Sequence, residues 1–209
     1  MNGHLITFEG PEGSGKSTQI SSLVHRLREE KEPVISLREP GGTELGESIR
    51  DILQSVDKGP SSMESELLLF LSSRAQLVAE IISPALNDGM WVICDRFIDS
   101  SLAYQGYGRG MDLNWVRKLN AFATMGIVPC LTIMLQLNVD ECFQRMKKRY
   151  ETINGVHDRI EREPRSFHER VINGYKELSN EEARFEVFDA TESRDVLADA
   201  IYKRVMQLK

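Results

Sequence analysis

Eight consecutive residues near the start of the sequence have the types and spacing of a phosphate-binding loop. Residues 10–17, G-P-E-G-S-G-K-S, fit the pattern G-x-x-x-x-G-K-[ST]. In such a loop, backbone N–H groups and the N-terminus of the next helix hold an anion, and glycines let the backbone approach it. Lys16 would reach the β- and γ-phosphates of a nucleotide, and the Ser17 hydroxyl would be a ligand of Mg²⁺. The predicted nucleotide-binding residues are Gly10, Pro11, Glu12, Gly13, Ser14, Gly15, Lys16, Ser17 and Thr18.

The surroundings of this loop predict a strand before it and a helix after it. Residues 5–8 form a short apolar run, and Ile20, Leu23, Val24 and Leu27 recur at helical spacing. The N-terminus of the helix would then point at whatever the loop holds, where its dipole favours an anion. The alternative is a glycine-rich turn without a ligand, which the full match in this context disfavours.

A second strand end carries an acid suited to metal binding. Residues 91–94 are a continuous apolar run, typical of a strand buried on both faces, and Asp95 and Arg96 follow it. An acid in this position can hold Mg²⁺ or its waters beside the hydroxyl of the phosphate loop. An N-cap or an ion pair would be the alternative use of the same acid. We therefore expect Ser17 and Asp95 to be metal ligands.

Other residues that could take part in chemistry lie at the end of a further predicted strand and on a helix. Residues 33–37 read as a strand that ends in Arg38 and Glu39. Phe70 and Arg74 are four residues apart on a predicted helix, and therefore share one face. An aromatic ring with an arginine one turn later can stack on a base and donate to its carbonyl edge. The alternative is an ordinary core phenylalanine beside a solvated arginine.

The elements that must position these residues alternate between strands and helices. A possible capping box, Ser61 with Glu64, starts a long helix that runs to about residue 87. Residues 150–162 have little periodicity and many charges, so we expect a loop there. The alternation predicts an α/β fold: a parallel sheet of about five strands flanked by helices, with ligands at the carboxyl ends of the strands. The predicted strands are residues 5–8, 33–37, 91–94, 130–137 and 185–188.

Length and composition indicate one domain, residues 1–209. The net charge of −6 does not favour binding to bulk nucleic acid. Three cysteines without C-x-x-C spacing favour neither a disulfide framework nor a zinc site, and fit a reducing cytoplasm. The sequence runs directly into a strand, so no signal peptide is evident, and no apolar run approaches 18 residues, so no membrane span is expected.

Residues 95–106, D-R-F-I-D-S-S-L-A-Y-Q-G, complete a recognisable pattern. With R-E-P-G-G at 38–42 and the phosphate loop, they closely resemble the thymidylate kinase family over essentially the whole chain. The resemblance implies the P-loop nucleoside monophosphate kinase fold with a mobile lid, which would lie at about residues 149–162, usually as a homodimer. It also implies transfer of the γ-phosphoryl of ATP to dTMP, with Mg²⁺, to give dTDP and ADP in dTTP synthesis.

The same resemblance assigns the nucleoside contacts by position. Phe70 stacks on thymine, and Arg74 bonds its O4. Ser101 and Gln105 contact the edge of the base. Tyr104 lies under the deoxyribose and disfavours a 2′-hydroxyl.

The contacts to the acceptor phosphate are also implied by position. Arg96 binds the phosphate of dTMP, helped by Arg38 or Arg50, although these two could instead be surface charges. Glu39 and Asp95 lie near the metal and near the 3′-hydroxyl or the waters around the phosphate. The implied substrate-binding residues are Arg38, Glu39, Pro40, Arg50, Phe70, Arg74, Arg96, Ser101, Tyr104 and Gln105.

The phosphate loop contains no basic residue between its first glycine and Gly15, which resembles the bacterial group of the family with arginines in the lid. Arg149 and Arg159 are the candidates, and Arg145 would be structural or contact the adenine side. Glu12 is negative and would repel a phosphoryl group unless a lid cation lies against it. The alternative is that these basic residues form a solvated helix face. The predicted catalytic residues are Lys16, Arg96, Arg149, Arg159 and Glu12.

Two other functions remain open from the sequence. The first is a kinase for another nucleotide or small metabolite. The second is a P-loop switch or motor module, which would bind or hydrolyse ATP without an acceptor. The guanine-nucleotide patterns D-x-x-G and N/T-K-x-D do not occur, which disfavours a GTPase.

Overall fold

The computed structural model describes residues 3–57, 59–60, 62–153 and 158–209, with only the backbone at 152 and 153. In this part of the chain, five parallel strands form one sheet in the order β2-β3-β1-β4-β5. The strands are β1 (His4–Glu9), β2 (Val34–Arg38), β3 (Trp91–Asp95), β4 (Leu131–Gln136) and β5 (Phe185–Asp189). The predicted α/β fold with a parallel sheet of about five strands is confirmed.

Helices connect the strands. The regular ones are α1 (Lys16–Glu29), α2 (Glu44–Gln54), α3 (Met63–Leu77), α4 (Ser83–Asn87), α5 (Ile98–Ser101), α6 (Leu113–Ala123), α7 (Val139–Ile153), α8 (Arg165–Glu181) and α9 (Arg194–Met206). Two π-helical segments, Val78–Ile82 and Leu102–Gly108, join α3 to α4 and extend α5. The Thr43 side chain accepts a hydrogen bond from Gly46 N and so caps the N-terminus of α2.

The register of the sheet determines where the site lies. β1 is the central strand and is apolar on both faces, so Leu5, Ile6 and Phe8 are buried. Its end leads into the phosphate loop. Phe8 pairs with Asp95 of β3, and Asp95 pairs with Arg38 of β2. The strand ends predicted to share one site therefore lie side by side at one edge of the sheet.

The helical run Met63–Asn87 is the one element of the described chain long and apolar enough to cross a membrane, with a mean hydropathy of 1.3. The expectation based on uninterrupted apolar runs overlooked it, because isolated polar residues interrupt the run. Two of these residues, Glu66 and Arg74, are buried and bonded to other elements, while Leu67 and Leu71 pack in the core. A core helix of a globular domain meets the same length and hydropathy criteria.

Two predicted boundaries are corrected. The N-cap of α3 is Ser62, whose side chain accepts from Ser65 N, and Ser61 lies outside the described residues. The segment predicted as a loop from residue 150 begins as helix, since α7 continues to Ile153. Residues 154–157 of the predicted lid lie outside the described part.

Candidate active site

A cavity of about 860 Å³ opens at the carboxyl edge of the sheet. It brings together side chains from the phosphate loop, from the ends of β2 and β3, and from α2, α3, α5, the π-helical segment after it, and α7. The predicted site residues that line it are Glu12, Gly13, Gly15, Lys16, Ser17, Thr18, Arg38, Glu39, Pro40, Arg50, Phe70, Asp95, Arg96, Ser101, Tyr104, Gln105 and Arg149. The others do not line it: Gly10, Pro11, Ser14, Arg74 and Arg159.

The phosphate loop has the backbone that its glycines permit. Gly13 and Gly15 have φ values of 75° and 90°, which other residues rarely adopt. Lys16 Nζ donates to the carbonyl oxygens of Gly10 and Pro11, both at 3.0 Å, and to Ser14 Oγ at 3.4 Å. Burial, followed by the charge of Arg96, lowers the pKa of Lys16. The lysine is therefore held over the loop, within reach of an anion bound there.

Ser17 and Asp95 meet beside the loop. Ser17 Oγ donates to Asp95 Oδ2 over 3.2 Å, and Asp95 Oδ1 is buried without a hydrogen-bond partner among the described residues. Oε1 of Glu39 is also buried without a hydrogen-bond partner among the described residues, and Glu39 N donates to the backbone oxygen of Asp95 at 2.9 Å. A hydroxyl and a carboxylate with free lone pairs are oxygen ligands of the kind that Mg²⁺ takes, together with substrate phosphates. The residues present fit a magnesium ion.

Arg96 is a cavity-lining cation that bonds to several surrounding elements. It has a left-handed backbone, with φ of 69°, and donates to Gly10 O, Tyr104 OH and Tyr175 OH, each at 3.1 Å. Its Nη2 lies 2.5 Å from Glu12 Oε1. The guanidinium thus connects the phosphate loop to the residues that follow β3.

The direct partner of Glu12 is Arg96, which follows β3. A lid cation against this carboxylate during transfer stays a prediction. Burial raises the pKa of Glu12, whereas the charges of Arg96, Lys16 and Arg149 lower it, to about 2. Glu12 is therefore ionised, and its charge is balanced before any lid residue contacts it.

Glu9, which the sequence analysis missed, ends β1 beneath the cavity. It is fully buried and accepts from Phe97 N at 2.8 Å, Ser100 Oγ at 2.6 Å and Tyr175 OH at 2.7 Å. Burial and the nearby charge of Asp99 raise its pKa to about 7. The sequence pattern that singled out Asp95 also applies to Glu9, because both are carboxylates at the end of a buried strand.

Helix α3 presents three polar or aromatic residues on one face: Glu66, Phe70 and Arg74, spaced by four. Phe70 lines the cavity, as a stacking residue must. Arg74 lies behind the wall and is 1% exposed. It donates to Glu39 Oε2 at 2.8 Å, to Ser101 Oγ at 2.8 Å, and also to Asn120 Oδ1 and Phe97 O. A contact from Arg74 to a base carbonyl would have to share or replace one of these bonds.

The two predicted lid arginines have different surroundings. Arg149 lines the cavity, contacts the carboxylate of Glu161, and adds its charge to the field at Glu12. Arg159 instead donates to Leu53 O at 3.2 Å and to Glu66 Oε2 at 2.6 Å. The structure therefore brings Arg149 towards the phosphate loop and does not bring Arg159 there.

Three further arginines are fixed by nearby acceptors. Arg38 contacts Glu47 Oε2 at 2.6 Å, and Arg50 donates to Pro40 O at 3.0 Å. Both line the cavity beside the end of β2. Arg145 donates to Gly13 O at 3.4 Å and to Ala190 O at 2.9 Å, so it joins the phosphate loop to the loop after β5.

Comparison with known proteins assigns a family to this arrangement. The family profile described as Thymidylate kinase matches residues 8–201. Among similar proteins, the thymidylate kinase of Carboxydothermus hydrogenoformans is 48% identical over 90% of both chains. That of Exiguobacterium sp. is 44% identical over 96% of this chain and 93% of its own. That of Prochlorococcus marinus is 41% identical over 100% of this chain and 98% of its own.

Proposed function

The chain belongs to the thymidylate kinase family, and on that basis we propose that its cavity transfers the γ-phosphoryl of ATP to dTMP, giving dTDP and ADP in dTTP synthesis. The observation that carries this proposal is the common cavity of two subsites. The phosphate loop with Lys16 opens into the space that Phe70, Tyr104 and Gln105 line. A donor phosphate and an acceptor nucleotide can therefore meet in one enclosure, which a binding module would not require.

Transfer needs alignment and charge compensation more than acid–base chemistry. An oxygen of the acceptor phosphate attacks the γ-phosphorus as the bond to the ADP oxygen breaks. Lys16 leaves the carbonyls of Gly10 and Pro11 for the phosphates of ATP, and Arg96 holds the acceptor phosphate. The phosphate oxygen is already a nucleophile, so no strong general base is required.

Mg²⁺ fits the proposed site at Ser17 and Asp95, with Glu39 near its waters. When bound, the ion would neutralise charge on the transferring phosphoryl. Ser17 Oγ already faces the Asp95 carboxylate, so the two ligands are positioned before substrate arrives.

The acceptor subsite is proposed residue by residue. Phe70 stacks on the base, and Ser101 and Gln105 contact its edge. Arg74 holds Ser101 in place, and one of its N–H groups is shared between its present acceptor and O4 of the base. The Tyr104 ring lies under the sugar, where a 2′-hydroxyl would have no space. Arg38 or Arg50 assists Arg96 at the acceptor phosphate.

We place the transition-state arginine in the lid segment, at about residues 149–162. Of the two candidates, the geometry favours Arg149, which lines the cavity. Arg159 would have to release Glu66 and Leu53 O to reach the phosphates. Closure of the segment over both substrates would exclude water and so limit the hydrolysis of ATP.

An acceptor panel tests the function. Purified protein with ATP and Mg²⁺ is assayed for ADP release with dTMP, dUMP, dCMP, dGMP and dAMP. We expect the highest kcat/KM for dTMP and little hydrolysis without an acceptor. A preference for dCMP or for a purine nucleotide, or turnover of ATP independent of acceptor, would overturn the proposal in favour of another kinase or an ATPase module.

A homodimer in the cytoplasm is proposed for the working form. Helices α3 and α6 pack together and expose large apolar side chains: Met63, Leu68, Trp115 and Phe122, the last 85% exposed. Large exposed apolar side chains on two adjacent helices are typical of a protein interface. The free thiols of Cys94, Cys130 and Cys142 suit a reducing compartment. Sedimentation at micromolar concentration should show a dimer that Phe122→Asp converts to monomer, and a monomeric wild type would refute this.

A further inference from the structure

A buried carboxylate on α3 contacts the base subsite from behind. Glu66 is 2% exposed and does not line the cavity. Its Oε1 accepts from Gln105 Nε2 at 2.8 Å and from Arg109 Nε at 3.2 Å. Its Oε2 accepts from Arg109 Nη2 at 2.9 Å and from Arg159 Nη2 at 2.6 Å. Two guanidinium groups therefore compensate one carboxylate, which stays ionised.

An ionised carboxylate can only accept hydrogen bonds, whereas an amide side chain has one accepting end and one donating end. Gln105 must therefore turn its NH₂ group towards Glu66. Its Oε1 has no hydrogen-bond partner among the described residues, and Gln105 lines the cavity. The carboxylate thus determines which end of the amide remains for a ligand, and that end is a hydrogen-bond acceptor.

An acceptor at this position distinguishes pyrimidine bases. Thymine and uracil carry an N–H donor at N3, whereas the N3 of cytosine is an acceptor. An amide oxygen facing N3 would pair with the first two and oppose the lone pair of the third. A site built to accept such a hydrogen bond rejects an analogue without the donor strongly, because its own polar group is left unpaired.

We propose that Glu66 is a specificity-determining positioning residue, which fixes the Gln105 amide with its oxygen towards the base and so selects an N3–H donor. The proposal rests on the proposed contact between Gln105 and the base edge. Glu66 acts through Gln105 and does not touch the substrate. Arg109 and Arg159 keep the carboxylate charged and in place.

Glu66→Gln is the direct test. A neutral amide can donate or accept a hydrogen bond, so it no longer determines which end of the Gln105 amide faces the cavity. The readout is the ratio of kcat/KM for dTMP to that for dCMP, with thermal unfolding measured in parallel. We expect the ratio to fall at least about tenfold, mainly through faster use of dCMP. Glu163→Gln is the matched control, because Glu163 pairs with the same Arg109, at 2.6 Å, while the side-chain amide of Gln105 donates to Glu66 and, within the described residues, not to Glu163. Its ratio should stay at the wild-type value.

Gln105→Met and the double variant separate this inference from the proposed function. If Glu66 acts through Gln105, the double variant has the selectivity of Gln105→Met alone. Multiplied effects, or a wild-type ratio in folded Glu66→Gln, overturn the inference while the Gln105 contact and the kinase activity stand. A wild-type ratio in Gln105→Met overturns both the contact and the inference. If Glu66→Gln fails to fold, Glu66→Asp keeps the charge but withdraws the carboxylate from Gln105, and its ratio decides by the same criterion.

Discussion

Arg74 and Glu39 form a buried ion pair in which Nη2 and Oε2 are 2.6 Å apart and the side chains are 1% and 3% exposed. The pair joins α3 to the loop after β2, and Arg74 also holds Ser101 and Asn120 in place. Through Arg74 it fixes the Ser101 hydroxyl in the wall of the cavity that Phe70 also lines. Burial raises the pKa of Glu39, although the charge of Arg74 opposes the shift.

Arg74→Ala should destabilise the fold at pH 7 by about 3–5 kcal/mol, because it leaves a buried carboxylate uncompensated. The loss should shrink as the pH falls, since protonation removes the unpaired charge and the raised pKa of Glu39 brings protonation closer to neutrality. Denaturant unfolding at pH 7.5 and 5.5 measures both effects. Arg74→Ala with Glu39→Ala should recover part of the stability, and a double variant as unstable as the sum of the two single variants would contradict this account.

The same substitution should weaken selectivity for the acceptor more than use of ATP. Arg74 positions Ser101, and its proposed contact with the base carbonyl discriminates substrates by about 1–3 kcal/mol. The ratio of kcat/KM for dTMP over dCMP is the measurement, at a temperature where the variant is folded. An unchanged ratio would show that Arg74 has a structural role alone.

Lys16→Ala should fold normally and lose nearly all phosphoryl transfer. Its Nζ is bonded only within the phosphate loop in the described structure, so the core does not depend on it. Loss of a charge at the transferring group costs several kcal/mol, and each ~1.4 kcal/mol is tenfold in rate. Lys203→Ala, an exposed lysine on α9, is the control. Normal turnover of folded Lys16→Ala would refute the assignment of the loop.

Arg149→Ala should lower kcat with little change in KM for either substrate, because its proposed contact forms mainly in the transition state. A transition-state arginine in P-loop enzymes contributes roughly 10³–10⁵ in rate, and we expect the low end or less. Arg159→Ala and the double variant complete the series. If all three retain the wild-type kcat, the lid does not supply the charge, and Arg38, Arg50 or Arg96 must do so.

Tyr104→Phe should keep most activity on dTMP. The change removes the hydrogen bonds of the hydroxyl to Arg96 and Glu12, which are 3.1 Å and 3.3 Å long and contribute about 1 kcal/mol each. Tyr104→Ala should instead admit ribothymidine monophosphate, because the ring that fills the space under the sugar is gone. Steady-state kinetics on the deoxy and ribo substrates measure this, and an unchanged ribo-to-deoxy ratio in the alanine variant would reduce Tyr104 to a core residue.

Glu9 should make stability depend on pH. Its pKa rises from the usual 4.5 to about 7 on folding, so the folded state binds more protons between these values. Stability should therefore fall as the pH rises from about 4.5 to 7, by about 3 kcal/mol at most for this group. Glu9→Gln should flatten this part of the profile. Parallel profiles of the two proteins, measured by denaturant unfolding from pH 5 to 8, would show that Glu9 does not titrate in this range.

The sequence by itself determined the local features of the site and the family. A phosphate loop is eight contiguous residues whose glycines and lysine need no distant partner to be recognised. The strand ends at Arg38 and Asp95 were placed together correctly, because parallel strands must end at the same edge of a sheet. Short, continuous apolar runs predicted the five strands.

Only the tertiary structure decided which charges are paired. Glu9 and Tyr175 are 166 residues apart in sequence and in direct contact, and no periodicity connects them. Glu66 shares a helix face with Phe70 and Arg74, yet its role depends on Gln105 and Arg159, which other elements bring to it. An ion pair or an amide orientation depends on atomic distances of about 3 Å, and sequence spacing fixes such distances only within one helix or loop. The partners of Arg96, Arg74 and Arg159 were therefore settled by packing.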